Sequence, residues 1–153
     1  MALRLSDEMV ARIRGHAAET YPYECCGALL GRDAEDAREV AELLPLPNRR
    51  EDSPRNRFSM TAEDVREAER AARSRGHDVV GWYHSHPDHP AQPSEFDREH
   101  AWPWYSYVIV SVRAGVPLGI VSWRLSDDRR RFEQEELEIA SVSTAVSAVS
   151  SRP

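Results

Sequence analysis

Residues 78–86 read DVVGWYHSH. A short apolar run rich in valine and aromatic residues reads as a β-strand, and this one ends in two histidines. Residues i and i+2 of a strand share a face. His84 and His86 therefore offer two imidazoles to one ion from a stiff support. Zinc takes neutral imidazole nitrogen and carboxylate oxygen in tetrahedral sites, so the third ligand identifies the centre.

The residues that follow, PDHPAQPSEFD, allow two readings. In the shorter one, His84-x-His86-x-Asp88-His89 opens a two-metal site of the kind found in the metallo-β-lactamase superfamily. That pattern needs a further metal-binding histidine well downstream and a longer chain. Here the last histidine is His100, eleven residues after His89, and Pro90 stands where the motif runs into glycine. In the longer reading, His84-x-His86 is followed by seven residues, Ser94, two residues and Asp97. Ser94 then caps a short helix and Asp97 lies in its first turn, close to the strand end. Two histidines and one aspartate leave a fourth position open to water, which marks catalytic rather than structural zinc. Zinc lowers the pKa of such a water from about 15.7 to roughly 7. A base must still take its proton, and a donor must stabilise the oxyanion.

The rest of the chain reads as one mixed α/β domain of 153 residues. Ser6 caps a helix over 7–20 with Met9, Ile13 and Ala17 on one face, and Pro22 ends it. CCGALLG reads as a buried strand ending at Gly31, DAEDAR as a polar turn, and 39–46 as a second strand. PNRREDSPRNR has the composition of an exposed loop. Thr61 and Asp64 form a capping box opening a helix to about Ser74, with Gly76 as its left-handed cap. Residues 105–112 and 118–125 are strands, with Gly115 and Pro117 between them, and RFEQEELEI is a strand or a short helix. Ile139, Val142, Val146 and Val149 recur at helical spacing, but Ser, Thr and Val make a weak helix. The domain is thus expected over 1–138, and 139–153 as a C-terminal tail, helical or frayed.

Several function classes are disfavoured. A net charge of −6 argues against a chain-wide attraction to nucleic acid; the runs RNR at 55–57 and RRR at 129–131 read as solvated loop charge. No apolar run approaches the ~20 residues of a membrane span. The N-terminal ten residues lack the apolar core of a secretory signal, so the cytoplasm is the expected compartment. All twenty basic residues are arginine, which leaves no side-chain amine for isopeptide attachment. Cys25 and Cys26 are adjacent, a poor geometry for a disulfide, and read as small buried side chains. Of the aromatic residues flanking the motif, Trp82, Trp102, Trp104 and Tyr105, most are expected in the core.

The pattern His84-Ser85-His86, seven residues, Ser94, two residues, Asp97 resembles the JAMM (MPN-plus) zinc metalloproteases at every defined position. That family also carries a glutamate in an upstream strand, commonly followed within a few residues by Cys-Gly and an apolar run. YECCGALLG matches this with Glu24, and the resemblance extends from the first helix to the strand at 118–125. It implies a single MPN domain, α/β and cytidine-deaminase-like, with a central mixed sheet flanked by helices. It implies one Zn2+ per chain held by His84, His86 and Asp97. Glu24 would move the proton of the attacking water to the leaving amine, and Ser94 would bond the carbonyl oxygen as it becomes negative.

Members hydrolyse peptide or isopeptide bonds after the C-terminal tail of ubiquitin or ubiquitin-like proteins. This short chain resembles the compact prokaryotic branch, which points to small sulfur carriers ending in Gly-Gly. Two other readings stand beside it. One is a zinc peptidase acting on unrelated peptides or phage components, and the other a non-catalytic MPN scaffold.

Overall fold

A computed structural model describes residues 1–48 and 61–141. In chain order the elements are β1 (Ala2–Ser6), α1 (Asp7–Thr20), β2 (Cys26–Asp33), β3 (Ala37–Leu46), α2 (Ala62–Ser74), β4 (Asp78–Pro87), α3 (Glu95–His100), β5 (Ser106–Arg113), β6 (Val116–Leu125), β7 (Phe132–Glu135) and β8 (Leu137–Ala140). The strands form one sheet in the order β7-β6-β5-β4-β2-β3-β1-β8. It is mixed: β4–β5, β1–β3 and β1–β8 are parallel, and the other pairs antiparallel. Glu136 alone separates β7 from β8, so the two ends of the strand order are joined by one residue, whose carbonyl accepts from Leu3 N at 2.9 Å.

Each sheet face carries its own core. Val10, Ile13 and Ala17 of α1 pack with Leu29, Val80, Tyr83, Val108 and Val110. Ala68 and Ala72 of α2 pack with Ala28, Leu30, Val79, Trp82 and Tyr107 on the other face. A register shift at Leu29/Leu30 bulges β4 at Val80. Val79 and Trp82 consequently face the α2 side, while Val80 and Tyr83 face α1. From Trp82 onward the alternation is regular, which puts His84 and His86 on the α2 side and Ser85 on the α1 side. Gly27 is required here, because a Cβ at that position would run into the Tyr83 ring.

The helix ends follow their capping chemistry. Ser6 Oγ accepts from Met9 N at 3.1 Å, and Thr61 with Asp64 forms a reciprocal capping box. Gly76 has φ +74°, the left-handed conformation expected for it. The β5–β6 turn uses Ala114 (φ 50°) and Gly115 (φ 83°). Pro117, expected in that turn, instead lies within β6 opposite Val112, next to a register irregularity that accommodates it.

Three other expectations need correction. The polar turn DAEDAR ends early, because Ala37 and Arg38 already belong to β3. Arg38 is only 1% exposed. Its guanidinium donates to Asp33 Oδ1 (2.7 Å), Val80 O (3.1 Å), Trp104 O (2.8 Å) and Ser106 Oγ (3.2 Å), which offsets the cost of burying a charge. RFEQEELEI supplies two strands rather than one element, at opposite ends of the strand order. Trp82 is buried, but Trp102 and Trp104 are exposed, with the guanidinium groups of Arg129 and Arg38 over their rings. The segment MALRLS contributes a strand, β1, that pattern reading passes over because only five residues are involved.

The expected boundary at 138/139 falls within β8, where Ile139 pairs with Leu5; positions 142–153 and the RNR run lie outside the described residues. No helix among the described residues is long and apolar enough to cross a membrane.

Candidate metal centre

Antiparallel pairing sets Cys26 opposite His84. The ladder extends one step beyond β2: Ser85 N donates to Cys25 O (3.2 Å), and Ser85 Oγ accepts from Cys25 N (2.8 Å). Asn48 Nδ2 donates to the Glu24 carbonyl at 3.1 Å. Between them these bonds hold Glu24 at the end of the strand pair, with its side chain on the face of His84 and His86. Glu24 is 3% exposed, and one atom each from Glu24, His84 and His86 lies within 4.8 Å of the others.

Asp97 arrives from the other side. After Pro87 the chain crosses a short loop, and Ser94 caps α3. Ser94 Oγ accepts from Asp97 N (3.0 Å), while Asp97 Oδ2 accepts from Ser94 N (2.9 Å). The same Oδ2 stands 3.2 Å from His84 Nε2 and 3.2 Å from His86 Nε2, which are 3.1 Å from each other. The capping box therefore sets the carboxylate as well as starting the helix.

Three donor atoms at mutual distances of 3.1–3.2 Å make a near-equilateral triangle. Bonds of about 2.0–2.1 Å in tetrahedral zinc give ligand–ligand edges of about 3.3–3.4 Å, so the triangle matches one face of such a site. His86 Nδ1 donates to Pro90 O at 2.9 Å. A carbonyl can only accept, so His86 carries a proton on Nδ1, and in the neutral ring that leaves Nε2 with the lone pair a metal needs. A cation at the centre of the triangle would be faced by both Nε2 atoms and the carboxylate; in its place, protonated imidazoles donate to Asp97 Oδ2.

Electrostatics agree. Burial by itself would raise the Asp97 pKa, but the charge and hydrogen bonds of His84 and His86 override it and hold the carboxyl well below the usual range. Burial would lower His86, yet its bond to Asp97 and the charge of that carboxylate carry it above its ordinary value. The cluster favours positive charge at its centre. The residues present fit a zinc ion.

The residues of the shorter reading are not brought together with these. Asp88 has φ 59°, and its carboxylate turns to Tyr21 Oη (2.6 Å) and Ala114 N (2.9 Å). His89 and His100 are exposed, the latter donating from Nδ1 to Phe96 O at 2.8 Å. Cys25 and Cys26 are buried free thiols whose pKa values burial pushes up to about 11 and about 12. Sequence reading missed Ser85, Asn48 and the Pro90 carbonyl. Ser85 was accessible through strand alternation, which points it away from the histidines; the other two depend on loop paths that leave no periodic signal.

A mixed sheet with a buried two-histidine, one-aspartate cluster and a neighbouring glutamate defines a class of α/β domain with a site that could hold a metal ion. Residues 6–126 match the family described as prokaryotic homologs of the JAB domain. This chain belongs to that family. It is 38% identical over 112 residues to a desampylase of Haloferax volcanii, covering 72% of this chain and 78% of the relative. It is 31% identical over 139 residues to the tail tip assembly protein K of Escherichia phage N15, covering 88% of this chain but only 47% of the phage protein. Among solved structures, a protein of Salinibacter ruber is 44% identical and superposes with a TM-score of 0.71, each chain covered to 91%.

Proposed function

We propose that this chain is a zinc metallopeptidase that cleaves the bond after the C-terminal Gly-Gly of a ubiquitin-like or sulfur-carrier protein. The observation carrying it is the triangle of His84 Nε2, His86 Nε2 and Asp97 Oδ2 with Glu24 within reach of the histidines. His84, His86 and Asp97 would hold one zinc, which supplies Lewis-acid polarisation and an acidified water when bound. Glu24 takes the proton of the attacking water and returns it to the leaving amine. Its burial keeps bulk water from competing for that proton. Ser94 donates its hydroxyl hydrogen to the developing oxyanion while its lone pair caps α3, roles that one hydroxyl can combine.

Similarity to a desampylase supports a deconjugating hydrolase whose partner is a ubiquitin-like protein. A Gly-Gly tail suits a recessed centre, since glycine brings no side chain to collide with its walls. We place the reaction in the cytoplasm, without a nucleic-acid or membrane partner. Glu24→Gln tests the assignment: it retains zinc and loses about a thousandfold or more in turnover, whereas full activity in that variant removes Glu24 from the mechanism.

The phage relative supports a second reading, a zinc peptidase acting on unrelated peptides or phage components. Cleavage of a Gly-Gly carrier fusion beside a panel of unrelated peptides separates the two; equal rates on both sink the carrier reading. Absence of bound metal and of cleavage would leave a scaffold.

A further inference from the structure

Three consecutive carbonyls in the loop between β4 and α3 each accept a hydrogen bond from a side chain on a different strand. Ser111 Oγ of β5 donates to His89 O at 2.6 Å, His86 Nδ1 of β4 to Pro90 O at 2.9 Å, and Trp123 Nε1 of β6 to Ala91 O at 3.0 Å. One residue earlier, Asp88 N donates to Val112 O at 2.6 Å, and the Asp88 carboxylate accepts from Ala114 N and Tyr21 Oη. Ser111 and Trp123 are not among the groups that converge on the metal centre. Both lie one or two strands away from β4.

His89 and Pro90 are exposed, so a carbonyl in this loop has water as an alternative partner. Tethering the carbonyls on both sides of Pro90 restricts the peptide planes around it. Pro90 O is thereby kept in line with His86 Nδ1. That bond favours the proton of the neutral ring on Nδ1, against the pull of Asp97 Oδ2 on Nε2. With the proton on Nδ1, Nε2 is a ligand; with the proton on Nε2, the ring aims an N–H at His84 and Asp97 and cannot bind metal.

We infer that Trp123 and Ser111 are positioning residues: by holding the carbonyls of Ala91 and His89 they fix the Nδ1–H tautomer of His86 and so set the affinity of the centre for zinc. The inference rests on His86 being a metal ligand, but the tautomer is measurable without metal. Trp123→Phe keeps an aromatic ring and removes the N–H; Ser111→Ala removes the hydroxyl alone.

The test is made on the full chain in two parts. Imidazole 1H–15N correlation spectra of the metal-free protein, taken at a pH where wild-type His86 has become neutral, report its tautomer, and competition with a chelator reports zinc affinity. In each variant the Nε2–H tautomer of His86 appears, and zinc affinity falls about tenfold, the lower end of what losing an outer-shell partner costs. If Trp123→Phe fails to fold, Ser111→Ala carries the test. His86 remaining wholly Nδ1–H in the folded variants, with zinc affinity within about twofold of wild type, overturns the inference. Wild-type protein that binds no zinc overturns the metal reading instead, and the tautomer spectra then decide this inference separately.

Discussion

The hydroxyl of Ser85 accepts a hydrogen bond from the backbone N–H of Cys25 at 2.8 Å, in an interior where neither group meets water. Ser85 stands between the two histidines on the chain but on the opposite sheet face, and its bond tethers the residue next to Glu24. One strand thus presents two proposed ligands on one side and fixes the position of the proposed base from the other.

Ser85→Ala leaves the Cys25 N–H buried without that acceptor. The expected cost is about 1–3 kcal/mol of stability, read by urea unfolding. With Glu24 less firmly held, turnover falls while bound zinc stays near wild type. Loss of metal together with turnover would show that Ser85 supports the histidines rather than Glu24.

Ser94 combines a cap and a proposed oxyanion donor, and two substitutions separate them. Capping theory gives Ser→Gly a cost of a few tenths of a kcal/mol and Ser→Ala about 1 kcal/mol. If Ser94 also donates to the oxyanion, both variants lose about 10²–10³ in kcat despite their different stabilities. Activity that tracks stability across the pair would reduce Ser94 to a cap.

The cysteines make a pH-dependent prediction. Burial raises the folded-state pKa of Cys26 to about 12 and of Cys25 to about 11, above the ordinary thiol value of about 8.5. The unfolded chain therefore releases thiol protons first as pH rises. This contribution to stability is whole below about pH 8.5 and is lost progressively above it, up to the folded-state values. Cys26→Ala should flatten the decline in unfolding free energy between about pH 8.5 and 11, measured by denaturant titration. An unchanged slope would show that the thiol ionises in the folded protein.

Much of the fold was legible because it depends on local chemistry. Ser6, the Thr61–Asp64 pair and Gly76 mark helix ends through hydrogen bonds spanning three or four residues, and the strands at 105–112 and 118–125 carry long apolar runs. The closeness of His84, His86 and Asp97 was legible through a spacing that the strand and the α3 capping box convert into proximity. Arg38 was not. Its burial depends on Asp33, Val80, Trp104 and Ser106, groups brought together only by the folded sheet. Trp102 and Trp104 were not legible for a related reason: hydrophobicity predicts burial, but these rings stay exposed, each stacked on a guanidinium, Trp102 on that of Arg129 and Trp104 on that of the buried Arg38. β7 and β8 share one apolar-polar pattern, and nothing local indicates that Glu136 carries the chain from one end of the strand order to the other.

The most direct test of the account is bound-metal stoichiometry by elemental analysis on wild type, Asp97→Ala and Asp88→Ala, each confirmed as folded by circular dichroism. The account predicts about one zinc per chain, lost in Asp97→Ala and retained in Asp88→Ala. Two metals per chain, or loss on removing Asp88 rather than Asp97, would contradict it.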